Sequence, residues 1–165
     1  MNEEIVAIVD SGNRVTGSAK RSELRRLGLW HRVCYVFVFD TPGLLYTQHR
    51  TMTKDSYPGY WDLAAGGIVL AGESYEESAR RELAEELGIE GVAMDLWFDF
   101  RFEDGLARAW GRAFGCVYDG PLRLQAEEVQ SVERLRVEDA LAGISGKTFT
   151  PDSLLALRMR FSGPA

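Results

Sequence analysis

Residues 66–90 read GGIVLAGESYEESARRELAEELGIE and hold seven glutamates. Three of them, Glu82, Glu85 and Glu86, fall within five positions. In the same stretch Ala79, Leu83 and Leu87 recur at helical spacing, and Gly88 stands where a helix would end. The pattern predicts a helix over 73–87. At roughly 100° per residue, the three carboxylates share an arc of about 100° beside the apolar stripe. One face must pack on something apolar while its neighbour concentrates negative charge. Like charges one turn apart weaken a helix, so such a helix needs compensation. On helical geometry alone, a solvated acidic face and a site for a hard divalent cation are both open.

The rest of the chain supplies strands. HRVCYVFVFD, 31–40, is rich in β-branched and aromatic residues, and LLYTQHRT, 44–51, is its partner across Thr41-Pro42-Gly43. Residues 4–10 and 14–18 predict an N-terminal β-hairpin, followed by a short helix at 22–27 that Gly28 closes. Residues 52–60, with Pro58-Gly59, read as a loop, and 61–68 as one short strand. Strands at 92–102 and 106–118 meet around Asp104-Gly105. A strand at 128–135 and a short helix at 137–141 follow. Thr150 and Pro151 open a last helix as N-cap and first helical residue. Helices and hairpins interspersed in this way predict an α/β fold, a mixed β-sheet with helices on both faces. The 165 residues suit a single domain over 1–165.

Composition narrows the function. With 25 acidic and 19 basic side chains the net charge is −6, which argues against a nucleic acid polymer or an anionic membrane as partner. A small phosphorylated ligand stays compatible, because local charge decides there. Cys34 and Cys116 lie far apart in apolar runs, with neither metal spacing nor a disulfide framework. They read as reduced core residues of a cytoplasmic protein. The opening Met1-Asn2-Glu3-Glu4 lacks the features of a signal peptide, and the apolar run 33–39 is too short to span a bilayer.

Gly67, five residues, Glu73, seven residues, then Arg81-Glu82-Leu83-Ala84-Glu85-Glu86-Leu87-Gly88-Ile89 resembles the Nudix box over 67–89, with every specified position matched. The resemblance implies a Nudix-type α/β/α sandwich that cleaves nucleoside diphosphates linked to a further group X with Mg²⁺ or Mn²⁺. It implies Glu82, Glu85 and Glu86 as metal ligands, with Glu85 and Glu86 catalytic. Glu73 and Arg81 tie the loop to the helix, and Gly67 lets the backbone turn close to the metal. Attack would be by metal-activated water on one phosphorus. Relatives often place a general base outside the box. Glu128 stands where several do so, with Glu127 and Glu103 as alternatives.

Residues 31–67 carry a second resemblance, to the Nudix subgroup related to isopentenyl diphosphate isomerase. His31-Arg32 and Arg50-x3-Lys54-x3-Pro58-Gly59-x-Trp61 share its layout, and FTPDS at 149–153 extends the likeness. It implies Arg50 and Lys54 as substrate-binding residues for a diphosphate, a role that suits a forked and a point cation. The isomerase's catalytic Cys is replaced here by Gly66 and a metal-binding His by Ile68. His31 keeps one metal position, but Leu24 stands at that of its partner. Acid–base work on carbon needs the missing groups, so hydrolysis is the expected activity. Isomerase-like turnover and a non-catalytic nucleotide-binding module are the alternatives.

Gly146-Lys147-Thr148 is no Walker loop, since Leu141 stands where its first glycine belongs. Tyr46, Tyr60, Trp61 and Trp110 read as core rather than base-stacking residues. Aromatic surface on either hairpin would suit a homodimer, and the oligomeric state stays open.

Overall fold

The apolar run predicted as a strand at 31–40 is the centre of the molecule. A computed structural model describes residues 3–162; Met1 and Asn2, part of the segment read above for signal-peptide features, and 163–165, from the expected 1–165 span, lie outside the described residues. The described elements run β1 (Ile5–Val9), β2 (Val15–Lys20), α1 (Arg21–Leu27), β3 (Trp30–Phe39), β4 (Leu45–Arg50), β5 (Trp61–Asp62) and β6 (Ala65–Ile68). Then come α2 (Tyr75–Leu87), β7 (Asp95–Glu103), β8 (Arg108–Val117), β9 (Val129–Leu135), α3 (Val137–Ala142) and α4 (Pro151–Phe161). β3 pairs in parallel with β8 from Trp30–Arg108 to Phe39–Val117, and antiparallel with β6 over Val33–Val36. Shorter antiparallel contacts join β3 to β1 and to β4. β2 extends β1, β7 extends β8, and both β9 and β5 pair with β4. The sheet is mixed.

Alternation along β3 divides the interior. Cys34, Val36 and Val38 pack with Ala79, Leu83 and Leu87 of α2 in one core. Tyr35 and Phe37 pack with Ala140 of α3 and with Ala156 and Leu157 of α4 in the other. Successive side chains of a strand point to opposite faces, so one run of apolar residues serves two layers of helices. This is the α/β/α sandwich expected from the box, with the N-terminal β-hairpin on one flank.

Several boundaries differ from expectation, each for a local reason. α2 begins at Tyr75 rather than at 73, because Ser74 is its N-cap. The Ser74 hydroxyl accepts from the Glu77 N–H and the Glu77 carboxylate accepts from the Ser74 N–H, both at 3.1 Å. The strand expected over 61–68 divides into β5 and β6, which join different partners while Leu63 and Ala64 bury themselves between them. Residues 92–94 stay outside β7, and Val92 and Met94 pack on the α2 core instead. Thr150 stands at the N-cap of α4, but its hydroxyl donates to Asp62 at 2.7 Å and accepts no N–H of the helix.

Candidate active site

The site grows from the β6–α2 junction. Gly66 has φ of 148°, and a Cβ there would lie 1.9 Å from the Cys34 carbonyl oxygen. Only glycine fits that approach to β3. At Gly67 a Cβ would lie 2.7 Å from Glu82 Oε1, so the α2 carboxylate sits directly over the strand. The side chain of Arg81 organises the helix face. It donates to both Glu73 oxygens, at 2.8 and 3.0 Å, to Glu82 at 3.1 Å and to Glu85 at 3.3 Å. Glu73 also accepts the Leu70 N–H at 3.1 Å. The Arg81 guanidinium thereby lowers the pKa of Glu73.

Glu82 and Glu86 behave differently. Glu86 is buried, and its carboxylate faces the Gly66 N–H at 3.4 Å. The two carboxyls lie close enough to couple. Burial, and for Glu86 also the charge of Glu82, pushes their pKa values up. A buried carboxyl pair of this kind needs either a shared proton or a cation. Hard oxygen donors beside a glycine that leaves room fit a divalent cation. Glu85 stands apart, half exposed, with Arg81 as its ion-pair partner. Among the described residues no three Asp, Glu, His or Cys side chains stand together as a ready ligand set. Glu85 joins the other two only by leaving Arg81.

A cavity of about 380 Å³ opens beside Gly66 and Gly67. Arg50 and Lys54 line it, but both are engaged. Arg50 donates to Asp62 at 2.6 Å and to the Ser56 carbonyl at 2.8 Å. Lys54 pairs with Glu128, which β9 delivers to the loop after β4. The structure therefore brings together the expected phosphate-binding lysine and the expected base. Of the alternatives, Glu127 is exposed, and Glu103 pairs with Arg108 at the end of the β7–β8 hairpin.

His31 is buried, and its Nδ1 lies 3.0 Å from the Leu29 carbonyl oxygen. Burial lowers its pKa. The buried Leu24 lines the same cavity. Cys34 also lines it, but burial pushes its thiol up to about 12, so it is no nucleophile. Sequence reasoning missed two acids here. Asp62 accepts from Arg50 and Thr150. Asp152 accepts from the Tyr35 hydroxyl at 2.7 Å, and burial and then Asp62 raise its pKa. The run FTPDS contained the second of these acids, but nothing in its spacing tied it to a tyrosine 117 positions away.

A mixed sheet between helix layers, with an acidic helix seated on a glycine strand, defines the class. The chain belongs to the Nudix hydrolase family, whose NUDIX domain matches residues 29–153. It is 47% identical over 156 residues to the Nudix hydrolase PA4841 of Pseudomonas aeruginosa, covering 94% of this chain and 92% of that protein. The Nudix hydrolase YfcD of Escherichia coli strain K12 is 46% identical over 156 residues, covering 94% and 86%. The crystal structure of DR0079 from Deinococcus radiodurans is similar with a TM-score of 0.83 at 27% identity, covering 96% of this chain and 99% of that one.

Proposed function

We propose that this enzyme hydrolyses a phosphoanhydride bond in nucleoside di- or triphosphates, or in another nucleoside diphosphate linked to X, with Mg²⁺ or Mn²⁺. The observation that carries the reading is the buried Glu82–Glu86 pair over Gly67. Glu82, Glu85 and Glu86 would hold the cation. When bound, it neutralises phosphate charge and makes water more acidic. Glu73 and Arg81 fix the helix against the loop. Arg50 and Lys54 bind phosphate oxygens by exchanging their protein partners, Asp62 and Glu128. That exchange releases the Glu128 carboxylate to accept the proton of the attacking water. Position 66 offers no group for proton transfer to carbon, which disfavours isomerisation. No described helix is long and apolar enough to cross a membrane, and we place the enzyme in the cytoplasm as a single domain.

The test is a panel of nucleoside di- and triphosphates, nucleotide sugars, dinucleoside polyphosphates and isopentenyl diphosphate, incubated with Mg²⁺ and resolved by chromatography. Cleavage of one nucleotide class, lost in chelator, is the expected result. Isomerised isopentenyl diphosphate without phosphate release would overturn the proposal. Nucleotide binding without product would favour a sensing module.

A further inference from the structure

We propose that Arg25, on α1, is a specificity-determining residue that takes the terminal, unsubstituted phosphate of the substrate; this rests on the hydrolase reading above. Four cations, Arg21, Arg25, Arg50 and Lys54, line the cavity beside β6. Three are engaged by protein: Arg21 with Glu4 at 2.9 Å, Arg50 with Asp62, and Lys54 with Glu128. Arg25 differs. Its ion-pair partner among the described residues is Asp55, exposed on a loop and 3.5 Å away. Its Nε is the one buried side-chain nitrogen or oxygen among the described residues without a hydrogen-bond partner. Burial and the like charges of Arg21 and Arg50 oppose its own charge. A buried donor left idle among like charges calls for an explanation, and an anionic ligand that displaces Asp55 and turns the guanidinium toward the cavity supplies one.

The chemistry selects phosphate. Nε and one terminal nitrogen of a guanidinium form a fork that matches two oxygens of one phosphate. A phosphate without further substituent carries the most charge and offers the most oxygens. The placement is consistent. Arg25 pairs with Asp55, the sequence neighbour of Lys54, and lines one cavity with Arg50, Lys54 and Gly67, over which Glu82 lies. The cationic wall thus continues from Arg50 and Lys54, the expected diphosphate ligands, to Arg25 on α1, which would take the last phosphate of a short chain. α1 is anchored by buried Leu24 and by the Arg21 N–H on the Glu4 carbonyl at 3.1 Å. It precedes residues 29–153, the stretch that matches the NUDIX domain. The substrates favoured are nucleoside di- and triphosphates with a free end, over nucleotides capped by a neutral sugar.

The full chain is titrated with inorganic pyrophosphate in chelator, by calorimetry. R25A should bind at least about tenfold more weakly than wild type, a loss of about 1.4 kcal/mol. R25K should fall between them, and R26A, at an exposed position on the same helix, should match wild type. Equal affinity in wild type and R25A, or no binding by wild type, overturns the assignment. R25K decides the matter should R25A fail to fold, judged by its unfolding midpoint. With Mg²⁺, R25A should raise KM for uridine diphosphate about tenfold and leave that for uridine diphosphate glucose within about twofold. An equal rise for both places Arg25 on the shared phosphates and overturns the terminal assignment, as does turnover confined to the capped nucleotide. If no nucleotide of the panel turns over while R25A still loses pyrophosphate, the anion seat stands and the hydrolase reading falls.

Discussion

At the scale of residues, like charges are kept together by what lies between them. Arg81 joins Glu73, Glu82 and Glu85 with one guanidinium, and the Glu82–Glu86 pair is left to share a proton or a cation. Asp152 permits a cleaner test of buried acidity, since it contacts none of those carboxylates. Its ordinary value is 3.8, and burial followed by the charge of Asp62 holds it higher in the fold. The folded state keeps a proton that the unfolded state gives up. Its contribution is therefore complete below 3.8 and is lost as pH rises through the raised value. Asp152→Asn keeps an acceptor for the Tyr35 hydroxyl and removes the titration. Urea unfolding between about pH 4 and about pH 7 should show the variant losing less stability than wild type over that range; parallel profiles would contradict the placement. The Cys34 thiol, pushed up to about 12, should stay unlabelled by a thiol reagent in the native protein at neutral pH and react on unfolding.

At the scale of elements, the site depends on how closely β6 lies between β3 and α2. Gly66→Ala would drive a Cβ into the Cys34 carbonyl at a backbone angle that side chains rarely adopt. A loss of about 3 kcal/mol or more in unfolding free energy is expected. Gly67→Ala meets the tip of a carboxylate instead. It should leave the unfolding midpoint within a few degrees and lower turnover far more, because Glu82 must move. Equal stability losses in the two variants would show that Gly67 serves the fold alone. The long elements were legible because their patterns are local: the apolar stripe of α2, the β-branched run of β3, the Asp104-Gly105 turn. Ends were less legible. A Ser-x-x-Glu cap moved the start of α2, and division of 61–68 between two partner strands depends on pairings that no local pattern carries.

For the whole molecule, the sandwich was expected from helices and hairpins interspersed along the chain, and the box residues were marked by their resemblance to the Nudix box. The pairings were not legible. Lys54 and Glu128 are 74 positions apart, as Tyr35 and Asp152 are 117. Only the β4–β9 ladder and the seat of α4 bring them together. Arg25 was equally hidden, since seven residues of polar helix give no sign of facing a cavity. The central proposal is that carboxylates of α2 hold a cation that makes a phosphoanhydride cleavable. The most direct measurement is product formation from the best substrate of the panel, by wild type and by Glu85→Gln, with Mg²⁺ and with chelator. Wild type should turn over only with the cation, and Glu85→Gln should be slower by about a hundredfold or more with its fold intact. Unchanged turnover in Glu85→Gln, or equal turnover in chelator, would contradict it.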